Sequence, residues 1–247
     1  GLGIPAEPLF RSSIIRDIGL LNKEQTQFYG ASILLAMNYL HKKKIIYRDL
    51  KPENVMVNTK GYIKIIDFGT VKEIEDRTST IIGTSHYMAP EITKGEGYSF
   101  QVDIWSVGIC MYEFFCGSLP FGEDYDDPMD IYRAVCKEDL TFPSFVKDDK
   151  FIKLLKKMLQ KEPTNRLWKL KQIKEHQYFA DFDWNKLISL SYPPPYMIQM
   201  KEKKENKENS NIIPYLSYLQ SKMSGRRGGK KKKSVRQLNF EKWLKNF

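Results

Sequence analysis

The eight residues Tyr47-Arg48-Asp49-Leu50-Lys51-Pro52-Glu53-Asn54 decide how this chain is read. An arginine–aspartate pair is followed by a lysine two positions after the aspartate and an asparagine five positions after it. Thirteen residues beyond Asn54 stand Asp67-Phe68-Gly69, and further on Ala89-Pro90-Glu91. Taken singly, each has a plain structural reading: a loop aspartate is commonly a turn residue and an asparagine a helix cap. Together and in this order they form a far more specific signal than any one of them.

Outward from this stretch, Val55-Met56-Val57 and Tyr62 to Ile66 are β-rich runs split by Asn58-Thr59-Lys60-Gly61, a hairpin signal. Such a hairpin lets two loops distant in sequence converge on one site. Upstream, Asn22 followed by Gln25 offers a capping box. The apolar Phe28, Leu35, Met37, Tyr39 and Leu40 then carry a helix through about His41, and Lys42, Lys43 and Lys44 suit its negative C-terminal end. Downstream, the apolar density from Phe100 to Cys116 predicts a helix buried on most sides. Shorter helices are expected at about 127–137, 149–160 and 169–177. After Pro193-Pro194-Pro195 the composition turns polar and lysine-rich, the signature of an extended, largely disordered tail.

The net charge of +10 is unevenly spread: residues 201–247 hold 14 Lys and Arg against 4 Asp and Glu, and residues 1–200 hold 26 of each sign. Excess charge is a property of the tail, so the whole chain does not read as a nucleic-acid binder. The basic cluster from Gly225 to Lys233 lacks interleaved aromatics and supports at most a salt-sensitive, nonspecific contact. Cys110, Cys116 and Cys136 show no C-x-x-C spacing and read as reduced core residues of a cytoplasmic protein, with neither zinc nor a disulfide. The run Ile104 to Phe121 is interrupted by Glu113 and flanked by Asp103, so it predicts a core helix and no transmembrane segment. No signal peptide is visible, and the opening at Gly1 reads as a truncation or a processed end.

The ordered motifs resemble the large C-terminal lobe of a protein serine/threonine kinase, with Tyr47 where the catalytic-loop pattern has histidine. The resemblance implies a protein-kinase-like α+β fold, a mainly α-helical C-lobe with a small β-hairpin at the cleft. No G-x-G-x-x-G-x-V loop and no V-A-I-K strand precede Tyr47. The N-lobe is therefore expected to be absent, with residues 1–179 an incomplete kinase domain and 180–247 its C-terminal tail. The implied reaction passes the γ-phosphoryl of ATP, held with Mg2+, to a Ser or Thr hydroxyl, and its demands are alignment and charge neutralisation. By resemblance, Asp49 orients the substrate hydroxyl and accepts its proton, and Lys51 balances charge on the transferring phosphoryl. Asn54 and Asp67 would ligate Mg2+; Lys51, Glu53, Asn54 and Asp67 would form the nucleotide side of the site. Thr84 would hydrogen-bond Asp49 and Lys51. Gly69 is expected to free the backbone after the metal ligand. Glu91 would pair with Arg166, Asp103 would hold the catalytic-loop backbone, and Glu53 and Glu113 would receive substrate arginines.

Within the kinases, Thr78-Ser79-Thr80-Ile81-Ile82-Gly83-Thr84 resembles the activation loop of the AGC group. That places a phosphosite at Thr80, with Arg48 and Lys72 as its phosphate pocket. The group's Gly-Thr-Pro-Glu-Tyr stands here as Gly83-Thr84-Ser85-His86-Tyr87, and His86 reads as a surface loop histidine without a partner. The resemblance is closest to cGMP-dependent protein kinases, with cAMP-dependent catalytic subunits second. Phe182-Asp183-Trp184, the triple proline and the end Trp243-Leu244-Lys245-Asn246-Phe247 match the group's tail. Ser234, after four lysines, is an expected autophosphorylation site. The implied partners are protein substrates with basic residues before the acceptor, and the N-lobe or upstream regulatory region of the parent chain, which the resemblance makes cyclic-nucleotide-regulated. A reading from another class is a kinase-derived structural or interaction module, lacking an N-lobe and inactive. Retention of Asp49, Lys51, Asn54 and Asp67 together favours the enzyme.

Overall fold

The structure is a computed structural model and describes residues 19–58 and 60–195. The expectations for residues 201–247, including Ser234, Trp243 and Phe247, lie outside the described residues. Helix α1 (Lys23–Lys42) starts where the capping box predicts: Asn22 Oδ1 accepts from the Gln25 N–H at 2.9 Å, and Gln25 Oε1 accepts from the Asn22 N–H at 3.0 Å. Beyond α1 the chain forms β1 (Ile45–Ile46), β2 (Val55–Val57), β3 (Ile63–Ile65) and β4 (Lys72–Glu73). The β2–β3 hairpin is the expected one, with Val55 opposite Ile65 and Val57 opposite Ile63. The antiparallel pair β1–β4, with Ile46 opposite Lys72, had no sequence signal because two-residue strands show no alternation. It draws the segment after Asp67 back towards the end of α1.

Helices α2 (Pro90–Thr93), α3 (Gln101–Cys116), α4 (Pro128–Lys137) and α5 (Asp149–Met158) follow. Asp127 and Asp148 cap α4 and α5, each accepting backbone N–H groups from the first turn. Helix α3 is the core: Val102, Ile104, Trp105, Val107, Ile109, Met111 and Phe114 are buried, so it is apolar on nearly every side. Helix α1 lies on it at close range, since a β-carbon on Gly30 would sit 3.0 Å from Met111 Sδ. The helix expected at 169–177 is shorter, α6 (Leu170–Lys174), because His176 caps a separate 3-10 turn, Gln177–Phe179, accepting from the Tyr178 N–H. Helix α7 (Trp184–Ile188) is capped by Asp183. Phe182 stacks on Tyr192, Tyr192 meets Phe28 of α1, and Tyr62 Oη donates to the Tyr192 carbonyl at 2.7 Å. Residues 182–192 thus pack against the lobe. Cys110 and Cys116 are buried, Cys136 is half-buried, and all three are free thiols. No described helix is long and apolar enough to cross a membrane.

Candidate active site

Backbone anchoring precedes chemistry here. Asp103, buried on α3, accepts the Tyr47 N–H at 2.9 Å and the Arg48 N–H at 2.8 Å, and His41 Nε2 lies 2.7 Å from the same carboxylate. A buried carboxylate needs such partners to offset its lost hydration. They hold Arg48 at φ 75°, a conformation that costs a side-chain-bearing residue roughly 1–3 kcal/mol and persists only where the surroundings enforce it.

The next loop is tied to this one on both sides of Asp67. The Tyr47 hydroxyl donates to the Ile66 carbonyl, and its fully buried ring meets Phe68 edge-on at 5.7 Å. Burial pushes the Tyr47 phenol far above its usual range, so the hydroxyl keeps the proton it donates. Thr70 Oγ1 donates to the Tyr47 carbonyl at 2.9 Å, and Arg48 Nε donates to the Thr70 carbonyl at 2.6 Å. The left-handed residue of this loop is Asp67 itself, at φ 58°. Gly69 was expected to supply that freedom; its N–H instead donates to Asp67 Oδ1 at 3.1 Å, and a β-carbon there would crowd the same oxygen.

Around Asp49 four expected residues meet. Thr84 Oγ1 donates to Asp49 Oδ1 at 2.7 Å and accepts from Lys51 Nζ at 2.7 Å, and Lys51 Nζ stands 3.4 Å from Asp49 Oδ2. Asn54 Nδ2 donates to the Asp49 carbonyl at 2.8 Å. The Ile66 N–H donates to the Asn54 carbonyl at 2.9 Å, which sets Asp67 beside this group. Thr84 reaches Asp49 because Gly83, at φ 125°, lets the chain lie against the loop around Arg48: a β-carbon there would sit 2.6 Å from the Arg48 carbonyl oxygen.

Asn54 and Asp67 are hard oxygen donors, and among the described residues no cluster of three or more His, Cys, Asp or Glu could hold a metal. Two such donors fit Mg2+, which commonly takes one or two carboxylates and fills its shell with phosphate oxygens and water.

The flanking residues sit less uniformly. Glu113 on α3 accepts from the Tyr87 hydroxyl at 2.6 Å. Burial pushes its carboxyl up to about 7; the Tyr87 bond pulls the other way, and Glu53 and Glu123 add to the rise. Glu53 is exposed at the head of the β2–β3 hairpin. Thr80 is exposed, and its carbonyl accepts from the Tyr98 hydroxyl at 2.6 Å. Lys72 Nζ donates to Thr78 Oγ1 at 2.9 Å, two residues short of Thr80. Glu91 and Arg166 form a buried bidentate pair at 2.6 and 2.9 Å, with the guanidinium over the Trp105 ring. His86 is not an unpartnered surface histidine: it is half-buried, with Nε2 3.1 Å from the Gly122 carbonyl. Sequence reasoning also passed over His41 and Tyr98. Their partners lie 62 and 18 residues away, and only a helix end in one case and an aromatic in a polar loop in the other marked them.

This geometry accords with the comparisons. The protein kinase domain family matches residues 7–179, and the chain belongs to that family. The chain is 49 % identical over 185 residues to the cGMP-dependent protein kinase of Plasmodium berghei (strain Anka), covering 73 % of this chain and 22 % of that protein. The identity to the cGMP-dependent protein kinase of Toxoplasma gondii is also 49 % over 185 residues, 73 % of this chain and 19 % of that one. A cAMP-dependent protein kinase catalytic subunit from Arthrobotrys oligospora is 40 % identical over 188 residues, 72 % of this chain and 36 % of its own length. The chain therefore spans about a fifth of the two cGMP-dependent relatives.

Proposed function

We propose that this chain is the C-terminal catalytic lobe of a protein serine/threonine kinase that phosphorylates substrates with basic residues before the acceptor. The observation that carries the reading is Thr84, which bonds Asp49 and Lys51 at once. It orients a carboxylate and an amine towards one point, as proton acceptance and phosphoryl stabilisation require. Asp49 would take the proton of the incoming hydroxyl, and Lys51 would neutralise charge on the group in transit. ATP with Mg2+ would supply the phosphoryl group. Asn54 and Asp67 would hold the ion, with Lys51 and Glu53 on the nucleotide side. Thr80 would be the activation phosphosite, with Arg48 and Lys72 as its cations, Lys72 first giving up Thr78. Glu53 and Glu113 would receive substrate arginines. Likeness to cGMP-dependent kinases supports cyclic-nucleotide regulation in the parent protein, and three free thiols fit a reducing, cytoplasmic setting.

Asp67→Ala tests the metal assignment in the full-length protein. Nucleotide affinity measured with and without Mg2+ should lose its metal dependence in the variant and keep it in the parent. Equal metal dependence in both contradicts the assignment.

A further inference from the structure

Tyr98 carries a connection that the roles above leave unassigned. It stands between α2 and α3, buried at 1 % exposure. Its backbone pairs with Thr78: the Thr78 N–H donates to the Tyr98 carbonyl at 3.0 Å, and the Tyr98 N–H to the Thr78 carbonyl at 2.8 Å. Its hydroxyl then reaches past Thr78 and donates to the Thr80 carbonyl at 2.6 Å. A phenol oxygen has one hydrogen to donate, and here it is given to that carbonyl. Arg48 directly precedes Asp49, and its Nε is already fixed by the Thr70 carbonyl. Burial raises the phenol's pKa, so the hydroxyl stays a donor at neutral pH.

We propose that Tyr98 is a positioning residue that fastens the Thr78–Thr80 segment to the connection between α2 and α3, and thereby holds Thr84 on Asp49 whether or not Thr80 carries a phosphate. The segment is then fixed at Thr78 by the backbone pair, at Thr80 by the phenol and at Gly83 by its fit against the Arg48 carbonyl. Few free dihedrals remain before Thr84. A phosphate on Thr80 would add to an assembled segment, meeting an Arg48 already held in place. This inference rests on the kinase reading and deepens it: it names the residue that sets how strongly activity depends on Thr80 phosphorylation.

The test is Tyr98→Phe in the full-length protein, in two backgrounds: phosphorylated on Thr80, and carrying Thr80→Ala. Without the phosphate, the variant should lose up to about tenfold in kcat, the upper end for one neutral hydrogen bond, with KM for ATP little changed. With the phosphate, the loss should be about threefold or less, because the phosphate supplies its own link to Arg48. Amide exchange over residues 78–84 should quicken in the unphosphorylated variant. An equal fractional loss in both backgrounds marks a merely structural tyrosine and overturns the proposal, as does unchanged exchange over 78–84. If the parent protein transfers no phosphoryl group, the kinase reading fails, and the exchange comparison still decides whether Tyr98 holds the segment.

Discussion

Glu113 shows how burial tunes a single residue. Its carboxyl is pushed up to about 7 because it is half-buried beneath Tyr87, with Glu53 and Glu123 nearby. In the proposed role it must be ionised to receive an arginine, so KM for an arginine-bearing peptide should rise as pH falls from 8 to 6. Glu113→Gln should flatten that dependence; a KM profile identical in parent and variant argues against Glu113 as a substrate contact. The stability consequence has the opposite sense. A folded pKa above the usual 4.5 means that Glu113 contributes stability at pH below about 4.5, lost as pH rises through about 7. Glu113→Gln should therefore raise Tm at pH 8 relative to the parent and leave it nearly unchanged at pH 4.5. At this scale the site was legible where chemistry clusters in sequence: Asp49, Lys51 and Asn54 lie within six residues of one another. His86, His41 and Tyr98 were not, because a single histidine or tyrosine acquires its partner only when distant segments meet.

Elements were predictable where a local bond starts them. Asn22 with Gln25 sets α1, and the Gly61 turn, at φ 84°, closes the β2–β3 hairpin. The same reading missed β1–β4, whose two-residue strands carry no periodicity, and overran α6, where His176 spends its ring nitrogen on a separate turn. Between elements, the buried bidentate pair of Arg166 with Glu91 joins the turn after α5 to the start of α2. Both side chains are buried, so removing one strands the other. Arg166→Ala should cost about 3–5 kcal/mol of folding stability, the range for breaking a buried pair. Urea unfolding of parent and variant checks this, and a loss below about 1 kcal/mol would place the pair among the weak surface kind.

Over the whole molecule, charge and packing divide the labour. Residues 1–200 are neutral in sum and supply the described lobe, whereas the excess positive charge lies beyond residue 200. The lobe is arranged around α3. One face of it packs on α1, its buried Asp103 anchors the Tyr47–Arg48 backbone, and its Glu113 holds the Tyr87 hydroxyl. Membership in the protein kinase domain family fixes the class of fold, and the Thr84 bridge carries the proposal of phosphoryl transfer. The most direct measurement is steady-state transfer of the γ-phosphoryl group to an arginine-bearing serine or threonine peptide by the full-length protein and by its Asp49→Asn variant. ATP affinity is measured alongside. Asparagine fits the same space but cannot accept the hydroxyl proton, so kcat should fall about 10²-fold or more with ATP affinity nearly unchanged. Near-normal turnover in Asp49→Asn, with the parent active, would contradict the account.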